Sequence, residues 1–176
     1  MEIKIEVAKR ERLEEYYEIF EDSALADHYF RGTNLIHEWI DDFVGDDRKE
    51  IFIAYTTAGE AIGLIHFTMD GMCGFPHCFL LGVKKQYRGM GIGQQLLNFF
   101  FKVVESTDLP NMYIMTSTFN VRAFRLYQKM GFKKVGIIPG FILKDVNEYF
   151  LIRPNKNCKQ PSAQKGEINR AVSYLN

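Results

Sequence analysis

Three glycines at alternate positions stand out in the segment Val83-Lys84-Lys85-Gln86-Tyr87-Arg88-Gly89-Met90-Gly91-Ile92-Gly93. A short apolar run ends, a basic loop follows, and a helical pattern begins. Glycine lets backbone N–H groups turn toward a ligand with no side chain in the way. A helix start adds N–H donors that lack intrahelical partners, and a partial positive charge. Together these features make a cradle for a pyrophosphate. The spacing argues against the familiar alternatives. In the dinucleotide fingerprint G-x-G-x-x-G the third glycine comes one residue later than here, and the loop follows the first strand of its fold. A P-loop needs Gly-Lys-Ser/Thr, which does not follow, and a protein-kinase glycine loop belongs to a longer chain. A glycine turn that binds nothing is the bland alternative.

A second constellation lies downstream, in Asn120-Val121-Arg122-Ala123-Phe124-Arg125-Leu126-Tyr127-Gln128-Lys129-Met130-Gly131-Phe132. Asn120 and Tyr127 are seven residues apart, two helical turns, so they share a face about 10 Å apart along the axis. A polar pair on a helix anchored by Phe124 and Leu126 fits the wall of a ligand groove. The alternative is a helix cap at Asn120 and a core tyrosine at Tyr127. Cys73, His77 and Cys78 crowd one loop, but no second pair at zinc spacing accompanies them, so no metal site is expected.

The elements that must hold these residues follow from periodicity. Ile3, Ile5 and Val7 alternate with charges and predict a strand with one buried face. Leu13, Tyr16, Tyr17 and Phe20 predict a helix over Arg10 to Ser23. Leu35, Ile36, Trp39, Ile40 and Phe43 predict a second, ending before Gly45. Ile51 to Tyr55 and Ala61 to Met69 predict a hairpin around a five-residue turn. Asp70 to Pro76 reads as a loop. Cys78 to Val83 suits a strand buried on both faces. Ile92 to Val104 is apolar on most of its circumference and predicts a buried helix. Met112 to Thr116, a helix from Asn120 to Met130, Val135 to Ile138 and Glu148 to Ile152 complete an α/β layered domain around a mixed sheet. Asn155 to Asn176 has few large apolar residues and reads as a tail.

At 176 residues the chain suffices for one domain, taken as 1–154, with 155–176 as the tail. Hydrophobic residues at 47% and charged residues at 25% exclude a disordered or fibrous chain. No apolar run reaches the roughly 20 residues of a membrane helix, and the alternating N-terminus is no signal peptide. Three cysteines without a pairing pattern suggest a reducing, cytoplasmic setting. The net charge of zero hides an asymmetry. From Glu11 to Glu50 there are 13 acidic and 4 basic residues; from Lys84 to the end there are 15 basic and 5 acidic. Two solvated faces or two ligands of opposite charge would each account for this. The basic residues form no stripe of the kind a nucleic-acid surface requires.

The segment Arg88 to Gly93 matches R-x-x-G-x-G, and Asn120 to Phe132 matches N-x-x-A-x-x-L-Y-x-K-x-G-F. Both resemble the signatures of the GNAT superfamily of acetyl-CoA-dependent N-acetyltransferases. The resemblance runs from about Ile3 to Ile152, with the specific motifs between Leu81 and Phe132. It implies the GNAT (acyl-CoA N-acyltransferase) fold, a mixed, mostly antiparallel central sheet flanked by helices. It implies acetyl transfer from acetyl-CoA to a primary amine, with neither a covalent enzyme intermediate nor a metal. By this resemblance the amides of Arg88, Gly89, Met90, Gly91, Ile92 and Gly93 hold the CoA pyrophosphate. Leu81, Gly82 and Val83 offer main-chain groups to the pantetheine arm. Asn120 hydrogen-bonds that arm, Tyr127 protonates the leaving thiolate, and Lys129 lies near a CoA phosphate.

A cationic amine must lose a proton before it attacks, so a base is needed. The strand positions that carry it in many family members are here Leu80 and Met115, both apolar. Water on main-chain carbonyls, His66, Tyr55, His77 and Glu148 are the candidates. The first two helices wall the acceptor site in the family, which brings Tyr16, Tyr17, Tyr29, Phe30 and Trp39 toward it. The acidic charge of that region, with Asp41, Asp42, Asp46 and Asp47 clustered, predicts acceptors bearing at least two positive charges, such as polyamines, aminoglycosides or basic peptides. The rivals are a GNAT-like module that holds acyl-CoA with little or no turnover, and transfer of a longer acyl group. Neither nucleic acid nor membrane is an expected partner, and a homodimer stays open.

Overall fold

The computed structural model describes residues 1–29, 35–44 and 50–159. Its sheet has seven strands, β1 (Lys4–Val7), β2 (Ile51–Tyr55), β3 (Ala61–Thr68), β4 (His77–Val83), β5 (Asn111–Ser117), β6 (Lys133–Ile138) and β7 (Glu148–Pro154), in the order β1-β2-β3-β4-β5-β7-β6. Five helices accompany it: α1 (Leu13–Tyr17), α2 (Ala24–Tyr29), α3 (Leu35–Phe43), α4 (Ile92–Glu105) and α5 (Val121–Lys129). All strand pairs are antiparallel except β4 with β5. The mixed, mostly antiparallel sheet expected from the sequence is therefore present.

Alternation, interrupted in β3 by a bulge at Ile62, sends residues of β2 and β3 to opposite sides, and both sides are covered. Ile62, Ile65 and Ala54 pack with Leu96, Leu97 and Phe100 of α4. Ile53, Tyr55 and Leu64 pack with Tyr16, Phe20 and Ile40 on the other face. Every residue of β3 is buried in consequence.

The parallel pair is short. β4 and β5 are in register only at His77↔Tyr113 and Cys78↔Ile114. The β3–β4 register jumps between His66↔Leu80 and Phe67↔Cys78, which leaves Phe79 as an extra residue. Such a bulge bends the strand that carries it. Beyond it β4 stays with β3 and β5 stays with β7, and a wedge opens between them.

Several expectations need correction. The helix predicted over Arg10 to Ser23 is a short 3₁₀ turn, then α1, then a turn through Asp22 at φ 54°. The break lets Ile19 and Phe20 leave the helix and pack fully buried against β4. Ser23 then caps α2, an element the periodicity missed, by accepting from the Ala26 N–H at 3.0 Å. β4 is not buried on both faces: Phe79 is exposed and Leu81 to Val83 are half-buried, because they border the wedge. Val7 of β1 is exposed, as suits an edge strand. Asn155, the first residue of the expected tail, is buried, and its side-chain amide donates to the carbonyls of Val104, Thr107 and Leu109. Phe30, Asp46, Asp47 and residues 160–176 lie outside the described residues.

Gly82 is where the helical layer meets the wedge. A Cβ there would lie 2.5 Å from the Phe20 ring and 2.9 Å from Ile19. Gly82→Ala is therefore expected to destabilise the domain by about 1–3 kcal/mol. Chemical denaturation measures this, and wild-type stability in that variant would contradict the close approach.

Candidate functional site

The glycine loop closes the wide end of the wedge. Gly89 and Gly91 adopt φ of +89° and +83°, and a Cβ at either would meet nothing within 4 Å. Their conformation, rather than crowding, calls for glycine, and the space beside them is open. Gly91 caps α4 with no side-chain hydrogen bond, which leaves the first-turn amides for a ligand. Gly93 serves differently. Its Cβ would come to 3.3 Å from Leu126, so its smallness lets α4 lie close to α5. Open space over uncapped amides fits a pyrophosphate.

Arg88 does not reach into that space. Its Nε donates to the Val83 carbonyl at 2.9 Å, and its guanidinium donates to the carbonyls of Asp22 at 3.0 Å and Glu21 at 3.3 Å. Its amide donates to Lys85. Arg88 thus braces the loop against the α1–α2 connection. Lys84 adds an ion pair to Glu18 at 2.8 Å, and Tyr87 donates to Glu60 at 2.5 Å.

A cavity of about 440 Å³ runs from this loop along Leu81, Gly82 and Val83 to Asn120 and Tyr127. Of the twelve residues assigned to the cofactor from sequence, all but Met90, 53% exposed, and Lys129 line it. Arg122, in the first turn of α5, lines it and was missed. A basic residue two places after the helix cap was the available signal. Lys84 donates its N–H to Ile62 of β3, so strand alternation turns the N–H groups of Leu81 and Val83 toward the wedge.

A second cavity, of about 870 Å³, opens on the other side. The two share Leu25, Leu81, Asn120 and Tyr127. The Asn120 Oδ1 accepts from the Ala123 N–H at 3.2 Å, so the capping reading of this residue holds. Its side-chain N–H₂ makes no hydrogen bond among the described residues. Tyr127 is buried at the junction, and its hydroxyl likewise makes none. Burial, with a smaller contribution from Cys78, pushes its pKa up, so the phenol stays protonated.

The base candidates separate clearly. Tyr55 is locked to Tyr16 at 2.8 Å in the far core. His66, fully buried, accepts from the Trp39 indole at Nδ1 and faces Glu50 at Nε2, and it lines neither cavity. His77 lines the second cavity, stacked on Tyr113, but burial and His66 lower its pKa to about 4. Glu148 begins β7 opposite Ser117 of β5 and lines the same cavity. Its carboxylate accepts from the Tyr29 hydroxyl at 2.5 Å. Burial raises its pKa, with hydrogen bonds from Tyr29 and Ser117 as the opposing effect. Leu80 and Met115 line the cavity as apolar wall. Of the aromatic residues expected at the acceptor site, Tyr29 and Trp39 line it. Tyr16 and Tyr17 do not, since they pack against β2 and α3.

Residues 10–132, well over half the chain, match the sequence model of the acetyltransferase (GNAT) family. A protein of Methanocaldococcus jannaschii named as an uncharacterized N-acetyltransferase is 30% identical over 107 residues, 58% of this chain and 65% of that protein. An uncharacterized protein of Bacillus subtilis is 28% identical over 98 residues, 56% of this chain and 59% of its own length. The chain thus spans less than two thirds of either relative. Among solved structures, Ard1 from Thermoplasma volcanium superposes with a TM-score of 0.72 at 21% identity, covering 88% of this chain and 98% of that one. The ribosomal-protein-S18-alanine N-acetyltransferase from Escherichia coli superposes with a TM-score of 0.69 at 16% identity, covering 93% and 98%. These two likenesses concern the fold. With a sheet split between β4 and β5, a glycine loop at the mouth of that split and a sequence match across both, the chain belongs to the acetyltransferase (GNAT) family.

Proposed function

We propose that the chain transfers an acetyl group from acetyl-CoA to a cationic primary amine, directly and without a covalent enzyme intermediate. One observation carries this reading: two cavities, one ending in a pyrophosphate-type cradle, meet at Tyr127 with a buried carboxyl, Glu148, in the wall of the other. The glycine-loop amides would hold the pyrophosphate, with Arg122 adding positive charge. Val83 and Leu81 would offer N–H groups to the pantetheine arm and to the thioester oxygen as it gains charge. Arg88 acts as a brace for the loop in this reading.

Glu148 takes a proton from the incoming ammonium, and the neutral amine attacks the thioester carbonyl. The C–N bond forms and the C–S bond breaks. Tyr127 gives its proton to the departing thiolate and is reprotonated, through water, by the second proton leaving the acylated nitrogen. Glu148 releases the first to solvent, so the net products are amide, thiol and one proton. A carboxyl with a raised pKa suits a base that faces an ammonium whose ordinary pKa is about 10. The free thiols of Cys73 and the buried Cys78 fit a cytoplasmic setting, and no helix among the described residues is long and apolar enough to cross a membrane. Residues 1–154 would form the catalytic domain. The apolar residues Leu80 and Met115 favour the rival reading of a binding module without turnover, and Glu148 answers it.

Three measurements test these roles. Gly91→Glu is expected to abolish acetyl-CoA binding in calorimetry, because the side chain enters the cradle and repels the pyrophosphate. The positive φ adds strain of about 1–2 kcal/mol, which Gly91→Ala shares and so controls for. Unchanged affinity in a folded Gly91→Glu protein would remove the cradle. Tyr127→Phe is expected to lower kcat about 10²-fold with acetyl-CoA affinity nearly unchanged. A kcat within a factor of about two of wild type would exclude Tyr127 as the acid. For Glu148 the sign follows from its role. The base must be ionised, so kcat should fall as pH drops through a pKa held above the usual value of 4.5. Glu148→Gln should reduce kcat by about 10² or more and abolish that acid limb. An acid limb that survives in the glutamine variant would assign the base elsewhere.

A further inference from the structure

We propose that the acceptor carries its amine on an apolar body, as an arylalkyl- or alkylamine does, and not on a polyol or polyamine frame. This rests on the reading of the second cavity as the acceptor site. The sequence pointed to acceptors bearing at least two positive charges; the cavity walls argue instead for one ammonium on an apolar body.

Its apolar walls include Trp39, Phe79, Met115, Phe141, Ile142 and Leu143. Three of these are consecutive on the β6–β7 loop and stand exposed, Phe141 at 56%, Ile142 at 57% and Leu143 at 41%. Trp39 is held in place by its indole N–H to His66 at 2.9 Å and by the Phe79 ring at 6.2 Å. Large apolar side chains rimming a cavity are an exposed patch of the kind that marks a binding site.

Four of the polar side chains in the wall, Tyr29, Tyr113, Ser117 and Glu148, are already engaged, while Asn120 and Tyr127 keep free donors at the inner end. The Tyr113 hydroxyl accepts from the Met72 N–H at 2.7 Å, and the Tyr29 hydroxyl is shared between Ser117 at 2.6 Å and Glu148 at 2.5 Å. Along Phe79, Met115, Phe141, Ile142 and Leu143 no side chain offers a partner to the hydroxyls of an aminoglycoside, and a hydroxyl buried without a partner weakens binding. A polyamine would set charged nitrogens against the aliphatic side chains of Ile142 and Leu143.

The charge in the wall says what else the occupant bears. Glu38, Asp42 and Glu148 line the cavity, and no Lys or Arg does among the described residues. Glu38 and Asp42 are one turn apart on α3, both exposed, while Glu148 is buried between β5 and β7. An ammonium is drawn in by the first pair and delivered to the third, with its body along the aromatic wall. At about 870 Å³ the cavity has the size of a small-molecule site.

The test is a homologous series. The full chain, with acetyl-CoA, is assayed by thiol release with propylamine, butylamine, hexylamine and phenethylamine. Ethanolamine, spermidine, kanamycin and a short peptide with an apolar N-terminal residue complete the panel. Specificity constants should rise about fourfold per added methylene until the walls are filled. They should exceed those of ethanolamine, spermidine and kanamycin by tenfold or more. Ile142→Ser, on the exposed loop, should flatten the series while acetyl-CoA affinity by calorimetry stays unchanged. A flat series in the wild type, a polyamine or aminoglycoside as the best acceptor, or a peptide better than every free amine overturns the proposal and leaves acetyl transfer standing. Acetyl-CoA binding with no amine turned over overturns it too. No acetyl-CoA binding at all overturns the parent reading and this one with it.

Discussion

The separation of β4 from β5 is the constraint on which the rest of the molecule depends. Two strands in parallel register for only two residue pairs forgo the hydrogen bonds a longer ladder would supply. Each unpaired backbone group in the wedge then needs water, a ligand or another strand. The bulge at Phe79 bends β4, and the long antiparallel pairing of β5 with β7 holds β5 on the other side. Once the split exists, everything useful gathers around it. The glycine loop covers its wide end, α5 crosses beside it, and β7 brings Glu148 to its second face. A ligand with amide groups along its length can stand in for the missing strand, which is why a pantetheine arm suits this opening.

A wedge of this kind must be kept from closing or wandering, and the charge asymmetry of the sequence finds part of its reason there. Lys84 pairs with Glu18, Lys85 with Asp22, and Arg88 reaches the carbonyls of Glu21 and Asp22. The basic residues before the glycine loop are thus tied to the acidic segment between α1 and α2. Neither two solvated faces nor two ligands of opposite charge is the whole account. Some of the opposite charges meet one another and clamp the helical layer to the loop. The exposed Lys85–Asp22 pair contributes little energy on its own. The Arg88 contacts to Asp22 and Glu21 are exposed as well, and the ion pair of the buried Lys84 with Glu18 is the better-shielded part of the clamp.

Periodicity made the central hairpin and the longest helix legible, since Ile51 to Tyr55, Ala61 to Thr68 and Ile92 to Glu105 lie where the pattern puts them. The glycine loop was legible because its spacing is a local property of the backbone. The break after α1 was not. It is set by where Ile19 and Phe20 must reach over Gly82, a contact more than sixty residues away in sequence. Glu148 was only one name among several for the same reason. An acidic residue at the start of a strand has no spacing signal. Its place in the site comes from the β5–β7 register and from Tyr29 on α2, an element the pattern did not reveal. His66 shows the converse. A histidine in a strand looked available, and both ring nitrogens prove to face partners.

The protonation states around the junction have a common cause. Burial raises the pKa of Tyr127 and Glu148 and lowers that of His77 to about 4, so each shift favours the uncharged form. A site of this kind holds little charge of its own until a cation arrives. An ammonium beside Glu148 favours the ionised carboxylate, as any nearby positive charge does, and the carboxylate in turn favours the ammonium. In the proposed transfer the proton passes between groups whose affinities the same burial has brought closer together, because desolvation also lowers the pKa of an amine. Apolar walls would then serve both ends: they would accept the body of the amine and exclude the water that would otherwise restore the ordinary pKa values. On that reading the low polarity of the second cavity is part of how the proton is moved.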